Sequence, residues 1–92
     1  MAKIKIKILS PTGTIYDGMV SHVSFPGEVS RFSVFPQHAP IISSLVKGNI
    51  DYFTDGEEKQ TIPIESGFVE VKANQIIVCV EQNLEYNNNN KR

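Results

Sequence analysis

The chain has 92 residues, of which 40% are hydrophobic and 21% charged. That suits one globular domain with one core and excludes wholesale disorder. Nine basic against ten acidic residues leave a net charge of −1, so no electrostatic footprint for nucleic acid or an anionic membrane is expected. A lone cysteine, Cys79, excludes an internal disulfide, and with only His22 and His38 to join it no metal site is expected. No apolar run approaches the roughly 18 residues of a membrane span. The start, Met1 to Lys7, alternates lysine with isoleucine and lacks the continuous apolar stretch of a signal peptide. These features point to the cytoplasm, with no membrane insertion.

The dominant period is two. Ile4, Ile6 and Ile8 share one side of an extended segment and Lys3, Lys5 and Lys7 the other, which predicts a half-buried first strand whose lysines discourage edge pairing. Ser10-Pro11-Thr12-Gly13 reads as a type I turn. Thr14 to Tyr16 is predicted as a short strand broken at Asp17-Gly18, and Met19 to Pro26 as the next. Further strands are expected at 32–35, 41–46, 48–54, 58–64, 67–72 and 75–80. Asp55-Gly56 and Ala73-Asn74 serve as hairpin turns. Ile76, Val78 and Val80 lie on one face of the last strand and Ile77 and Cys79 on the other, so that strand should be central or covered on both sides. Cys79 reads there as a small buried hydrophobe. No stripe of period 3.6 runs for ten residues. The fold class is all-β, a sandwich or barrel.

The domain is expected to span residues 1–83. Residues 84–92, ending Asn87 to Asn90, Lys91 and Arg92, read as a polar tail. The expected core includes Ile6, Val23, Phe25, Val34, Leu45, Val69, Val71 and Val78.

Little in the chain suggests catalysis. His38, between Pro36 and Pro40, could act as a base, but Ser33, Ser43 and Ser44 lack any nucleophile context. Its bland reading is a turn histidine bonding local backbone. The polar segment Pro26 to Arg31 is either a binding loop or a solvated connection. Ser66-Gly67 lacks the glycines and helix start of a phosphate cradle. The glutamates are scattered. No catalytic residue, metal ligand or cofactor site is expected, and the residues alone support a small all-β binding or structural module.

Several motifs carry this further. Val23-Ser24-Phe25-Pro26-Gly27, Phe32 to Pro40 with its His38-Ala39-Pro40, Leu45-Val46-Lys47-Gly48 and Ser66 to Val71 closely resemble the epsilon subunit of F-type ATP synthases, over residues 3 to about 82. The resemblance implies a sandwich of two antiparallel sheets and a non-catalytic place in the central rotor. There the subunit links gamma to the c-ring and couples ion translocation to ATP synthesis, on the cytoplasmic face of the bacterial inner membrane. Ser10 and His38 match positions that face gamma, and are expected near each other on a surface with exposed apolar side chains. Glu28, Val29, Ser30 and Arg31 match the loop that meets the c-ring. Arg31 stands where the family often has an acidic residue, and Ser30 where it often has glycine. No helical hairpin is expected after Val80, and neither ATP binding nor inhibition through such a hairpin. The competing reading is a free-standing β-sandwich that binds a peptide or sugar.

Overall fold

The computed structural model describes residues 2–54 and 58–82. They form nine strands: β1 (Ile4–Ser10), β2 (Gly13–Val20), β3 (His22–Pro26), β4 (Arg31–Val34), β5 (Ile41–Leu45), β6 (Gly48–Phe53), β7 (Lys59–Ile64), β8 (Ser66–Lys72) and β9 (Gln75–Glu81). One sheet has the order β2-β1-β9-β8-β5 and the other β4-β3-β6-β7. The fold is therefore the expected all-β sandwich. Its pairs are antiparallel except β1 with β9, which run parallel from Lys5↔Gln75 to Leu9↔Cys79.

Alternation sets the core. Ile4, Ile6 and Ile8 of β1 are fully buried, as are Ile76 and Val78 of β9 and Val69 of β8. They meet Val23, Phe25, Val34 and Ile50 from the four-stranded sheet. Every expected core residue is buried. Burying a valine- or phenylalanine-sized side chain contributes about 1.5–3 kcal/mol relative to exposure. The face choice is thus fixed strongly, because a one-residue slip would turn every such side chain outward.

Four local expectations need correction. Strand β2 is continuous through Asp17-Gly18, because antiparallel pairing with β1 runs on to Ile4↔Val20. The weak strand propensity of Asp-Gly loses to that ladder. Strand β1 is not an edge, since β9 occupies its other side. Its lysines point outward from an interior strand, and Lys5 Nζ lies 3.7 Å from Asp17 Oδ1, a surface pair worth at most about 1 kcal/mol. The expected strand from Met19 to Pro26 divides at Ser21 into the end of β2 and the whole of β3, which lie in different sheets. Strand β9 is central, as expected. Cys79 there is partly exposed rather than a core hydrophobe.

The turns follow their chemistry. Ser10 Oγ accepts from Thr12 N at 3.3 Å and donates to Gly13 O at 3.1 Å. Gly13 has φ 141°, a conformation open to glycine. Ala73 (φ 54°) and Asn74 (φ 57°) both take the left-handed conformation that a two-residue type I′ hairpin requires. The Asp55-Gly56 turn and the 84–92 tail lie outside the described residues, although β6 and β7 pair antiparallel up to Phe53↔Lys59.

Val78→Asp places a lone charge at a site with no solvent exposure. Its cost of several kcal/mol rivals the whole stability of a small domain, so the variant is expected to show no cooperative thermal transition by circular dichroism. Alkali probes the core differently. Burial, and then the neighbouring Tyr16 hydroxyl, hold the Tyr52 phenol above its usual value of 10. The unfolded chain therefore loses this proton first. The resulting stability is complete below pH 10 and declines as pH rises beyond it. Denaturant titrations across that range should show the decline, with a shallower slope in Tyr52→Phe.

Candidate functional site

The sandwich has two ends. The Ser10–Gly13 turn, the start of β8, the end of β5 and the loop after Pro26 gather at one of them, because Leu45 pairs with Gly67 and Gly67 with Val80. The Ala73-Asn74 hairpin, the start of β1 and the loop before β5 gather at the other. Gln37 N donates to Asn74 Oδ1 there at 2.8 Å.

This arrangement separates Ser10 from His38. From Lys5, beside the hairpin, to Ser10 is five residues of strand, on the order of 17 Å. The expectation that the two lie together is therefore wrong. Sequence could not show it, because the parallel β1–β9 register, not the local motifs, puts them at opposite ends.

Each residue is also held locally. The Ser10 hydroxyl bonds within its own turn. His38 N donates to Phe35 O at 3.1 Å, and His38 Nδ1 lies 2.7 Å from Ala39 O. A carbonyl can only accept, so Nδ1 carries the hydrogen and a neutral ring leaves Nε2 as an acceptor. His38 thus does what the bland reading requires, while remaining partly exposed.

Between these ends lies a surface that sequence motifs did not single out. The outer face of the five-stranded sheet carries Leu9, Cys79 and Phe68 in register, with Ile77 and Ile42 in the next row. Phe68 is 49% exposed and Ile42 75%. At the Ser10 end, Leu9, Ser10, Pro11, Phe68 and Cys79 border an open groove of about 400 Å³. At the His38 end, Pro40, Ile42, Glu70 and Lys72 border one of about 330 Å³. The available signal was the last strand, whose two apolar faces imply that something covers both.

The 28–31 segment is a projecting tip with a firm base. Val29 is 98% exposed. Just before it, Gly27 bridges Leu45, Glu28 N donates to Ser44 O at 3.1 Å, and Val46 N donates to Pro26 O at 2.9 Å. On the other side, Arg31 Nη2 donates to Asp51 Oδ2 at 2.9 Å, and Thr61 Oγ1 donates to Asp51 Oδ1 at 2.9 Å. The positive charge of Arg31 is therefore paired across the four-stranded sheet instead of standing alone at the tip. Among the described residues, no group of three histidine, cysteine, aspartate or glutamate side chains could hold a metal ion. No helix there is long and apolar enough to cross a membrane.

Residues 3–85 match the family model described as ATP synthase, Delta/Epsilon chain, beta-sandwich domain. The chain belongs to this family. It is 38% identical over 81 residues to the ATP synthase epsilon chain of Sulfurimonas denitrificans, covering 88% of this chain and 62% of that one. It is 40% identical over 81 residues to the epsilon chain of a Nitratiruptor species, covering 88% and 63%. The chain thus spans a little over three fifths of these relatives. Among solved structures, it superposes on a chain of the Euglena gracilis mitochondrial ATP synthase (OSCP/F1/c-ring) with a TM-score of 0.82 at 17% identity, covering 87% of this chain and 51% of that one. A chain of the Tetrahymena thermophila mitochondrial ATP synthase central stalk and c-ring gives 0.73 at 15% identity, covering 85% and 63%. These last two show a shared fold. A delta/epsilon chain is a structural or regulatory subunit of the synthase and not a catalyst.

The tip depends on Gly27. A Cβ there would sit 2.6 Å from Ser30 O and 2.8 Å from the Phe32 ring, and the first of these is backbone that cannot step aside. Gly27→Ala is expected to lower stability by about 1–3 kcal/mol, the usual range for overpacking. It should also shift the amide resonances of Glu28 to Arg31. An unchanged spectrum and melting point would contradict the crowding.

Proposed function

We propose that this chain is a non-catalytic central-stalk subunit that links gamma to the c-ring and so couples ion translocation to ATP synthesis. Family membership supports the assignment to the synthase. The observation that carries the finer reading is the apolar outer face of the five-stranded sheet. Its Leu9, Phe68, Ile77 and Ile42 side chains lie between the Ser10 groove and the His38 loop. Lys7 and Glu70 share the row of Ile77 and Ile42, so these are exposed apolar side chains rimmed by polar ones, a surface that suits a macromolecular partner. Gamma is that partner on this reading, with Ser10 and His38 as contacts at the two ends of the face. The loop Glu28, Val29, Ser30 and Arg31 meets the c-ring. Val29 supplies an apolar tip, and Asp51 offsets the Arg31 charge. The assembly would sit at the cytoplasmic face of the bacterial inner membrane without this domain entering the bilayer.

The face is tested by titrating gamma with the wild-type chain, Phe68→Glu and His38→Glu. Phe68 is half exposed, so a carboxylate there leaves the fold intact. Placed in a desolvated contact, it should weaken gamma binding at least about thirtyfold, as loss of an interface anchor does. His38→Glu should weaken it less. Wild-type affinity in both, with melting points unchanged, would remove this face from the interface. In native membranes, loss of the chain should uncouple ATP hydrolysis from ion pumping. Coupled pumping in its absence would overturn the rotor assignment.

A further inference from the structure

Among the described residues, three that are not glycine take left-handed backbone angles: Gln37 (φ 67°), Ala73 (φ 54°) and Asn74 (φ 57°). They converge on one junction. Ala73 and Asn74 need that conformation to close the β8–β9 hairpin, and asparagine tolerates it better than most residues. At Gln37 it belongs to the Phe35-Pro36-Gln37-His38 turn, closed by His38 N to Phe35 O at 3.1 Å, because a type II turn with proline second needs positive φ at its third residue. A strained backbone persists only where the surroundings hold it, and such positions cluster at functional sites.

One side chain ties this turn to the β8–β9 hairpin. Asn74 Oδ1 accepts from Gln37 N at 2.8 Å. Asn74 Nδ2 donates to Lys3 O at 3.0 Å. Its main-chain carbonyl accepts from Lys5 N at 3.4 Å. A single asparagine thus joins the entry to β1, the β8–β9 turn and the loop from β4 to β5, across sequence separations of 71 and 37 residues. That loop contains Pro36 and Pro40, which have no N–H to give. The other described hydrogen bonds of its residues, His38 N to Phe35 O and His38 Nδ1 to Ala39 O, stay within it. Phe35 ties the loop to the four-stranded sheet by stacking on His22, ring centroids 4.9 Å apart, and the described hydrogen bond that ties it to the five-stranded sheet is Gln37 N to Asn74 Oδ1.

We propose that Asn74 is a positioning residue: its side-chain amide ties the Phe35–Pro40 loop to the β8–β9 hairpin and the entry to β1, and so presents His38 at the end of the partner face. The proposal rests on reading His38 as a gamma contact. Asn74 itself acts through the loop and need not touch gamma.

The test uses the full chain as wild type, Asn74→Gly, Asn74→Asp and His38→Glu. It measures residue-resolved amide hydrogen exchange, thermal midpoint and gamma affinity. Glycine accepts the positive φ, so Asn74→Gly keeps the hairpin and loses only the side-chain bonds. Exchange at the Gln37 amide should then accelerate about tenfold or more, the scale of one lost hydrogen bond. The Val71 and Ile76 amides should keep their protection, and gamma affinity should fall several-fold. Asn74→Asp retains an acceptor for Gln37 N, so it should restore both Gln37 protection and gamma affinity. Unchanged Gln37 exchange in Asn74→Gly overturns the proposal, as does an acceleration shared equally by Val71 and Ile76. So does a deprotected Gln37 with wild-type gamma affinity when His38→Glu does weaken binding. If neither variant alters gamma affinity, the reading of His38 is what fails, and loop positioning by Asn74 stands on the Gln37 exchange alone.

Discussion

The parallel pairing of β1 with β9 is the constraint on which the rest of this domain depends. It joins the first and last strands of the described sandwich through Lys5↔Gln75 to Leu9↔Cys79. Ile4, Ile6 and Ile8 are thereby placed beside Ile76, Val78 and Val80 in the same buried layer. Between β2 and β8 the chain leaves the five-stranded sheet twice and returns to it, once for β5 and once for β8. The chain does so through β3, β4, β6 and β7, which form the opposing sheet. A contact of such high sequence separation carries a large loop-closure cost and lowers the folding rate of such topologies.

That seam also explains why the two ends of the outer face are distinct in kind. At one end, Ser10 lies in a turn whose hydrogen bonds are local. At the other, the His38 loop is held by Asn74, far away in sequence. The face between them mixes apolar side chains with the charges of Lys5, Lys7, Asp17, Glu70 and Lys72. A surface built on the middle of a five-stranded sheet is stiff, and stiffness reduces the ordering cost of association.

Much of the architecture was legible in the residues. Period-two alternation in Ile4 to Ile8 fixed both the strand type and the buried face, whereas Gln75 to Val80, apolar on both faces, disclosed its strand type alone. Ala73-Asn74 marked its hairpin through the known tolerance of asparagine for positive φ. The failures have a common cause. Asp17-Gly18 looks like a break locally, but β1 supplies partners through it. Cys79 looks like core locally, but the sheet leaves its side unpacked. The separation of Ser10 from His38 and the reach of Asn74 across the junction depend on which strands are neighbours, and nothing short-range in a chain encodes that. The charge of Arg31 is similar, since its Asp51 partner is 20 residues on and two strands across.

The stitching of the Pro26–Glu28 segment to β5 has a mechanical meaning. Gly27 bridges Leu45, Glu28 N binds Ser44 O, and Val46 N binds Pro26 O, so the base of the Val29 tip is backbone-bonded to a strand of the other sheet. A loop rooted only in its own hairpin would swing when pushed sideways. Here a sideways load on the tip passes at once into β5 and from there through β8, β9 and β1, the strands that form the apolar face. The two surfaces of the domain are thus connected by continuous hydrogen-bonded backbone, with no hinge in the described path, so a displacement of one is carried to the other.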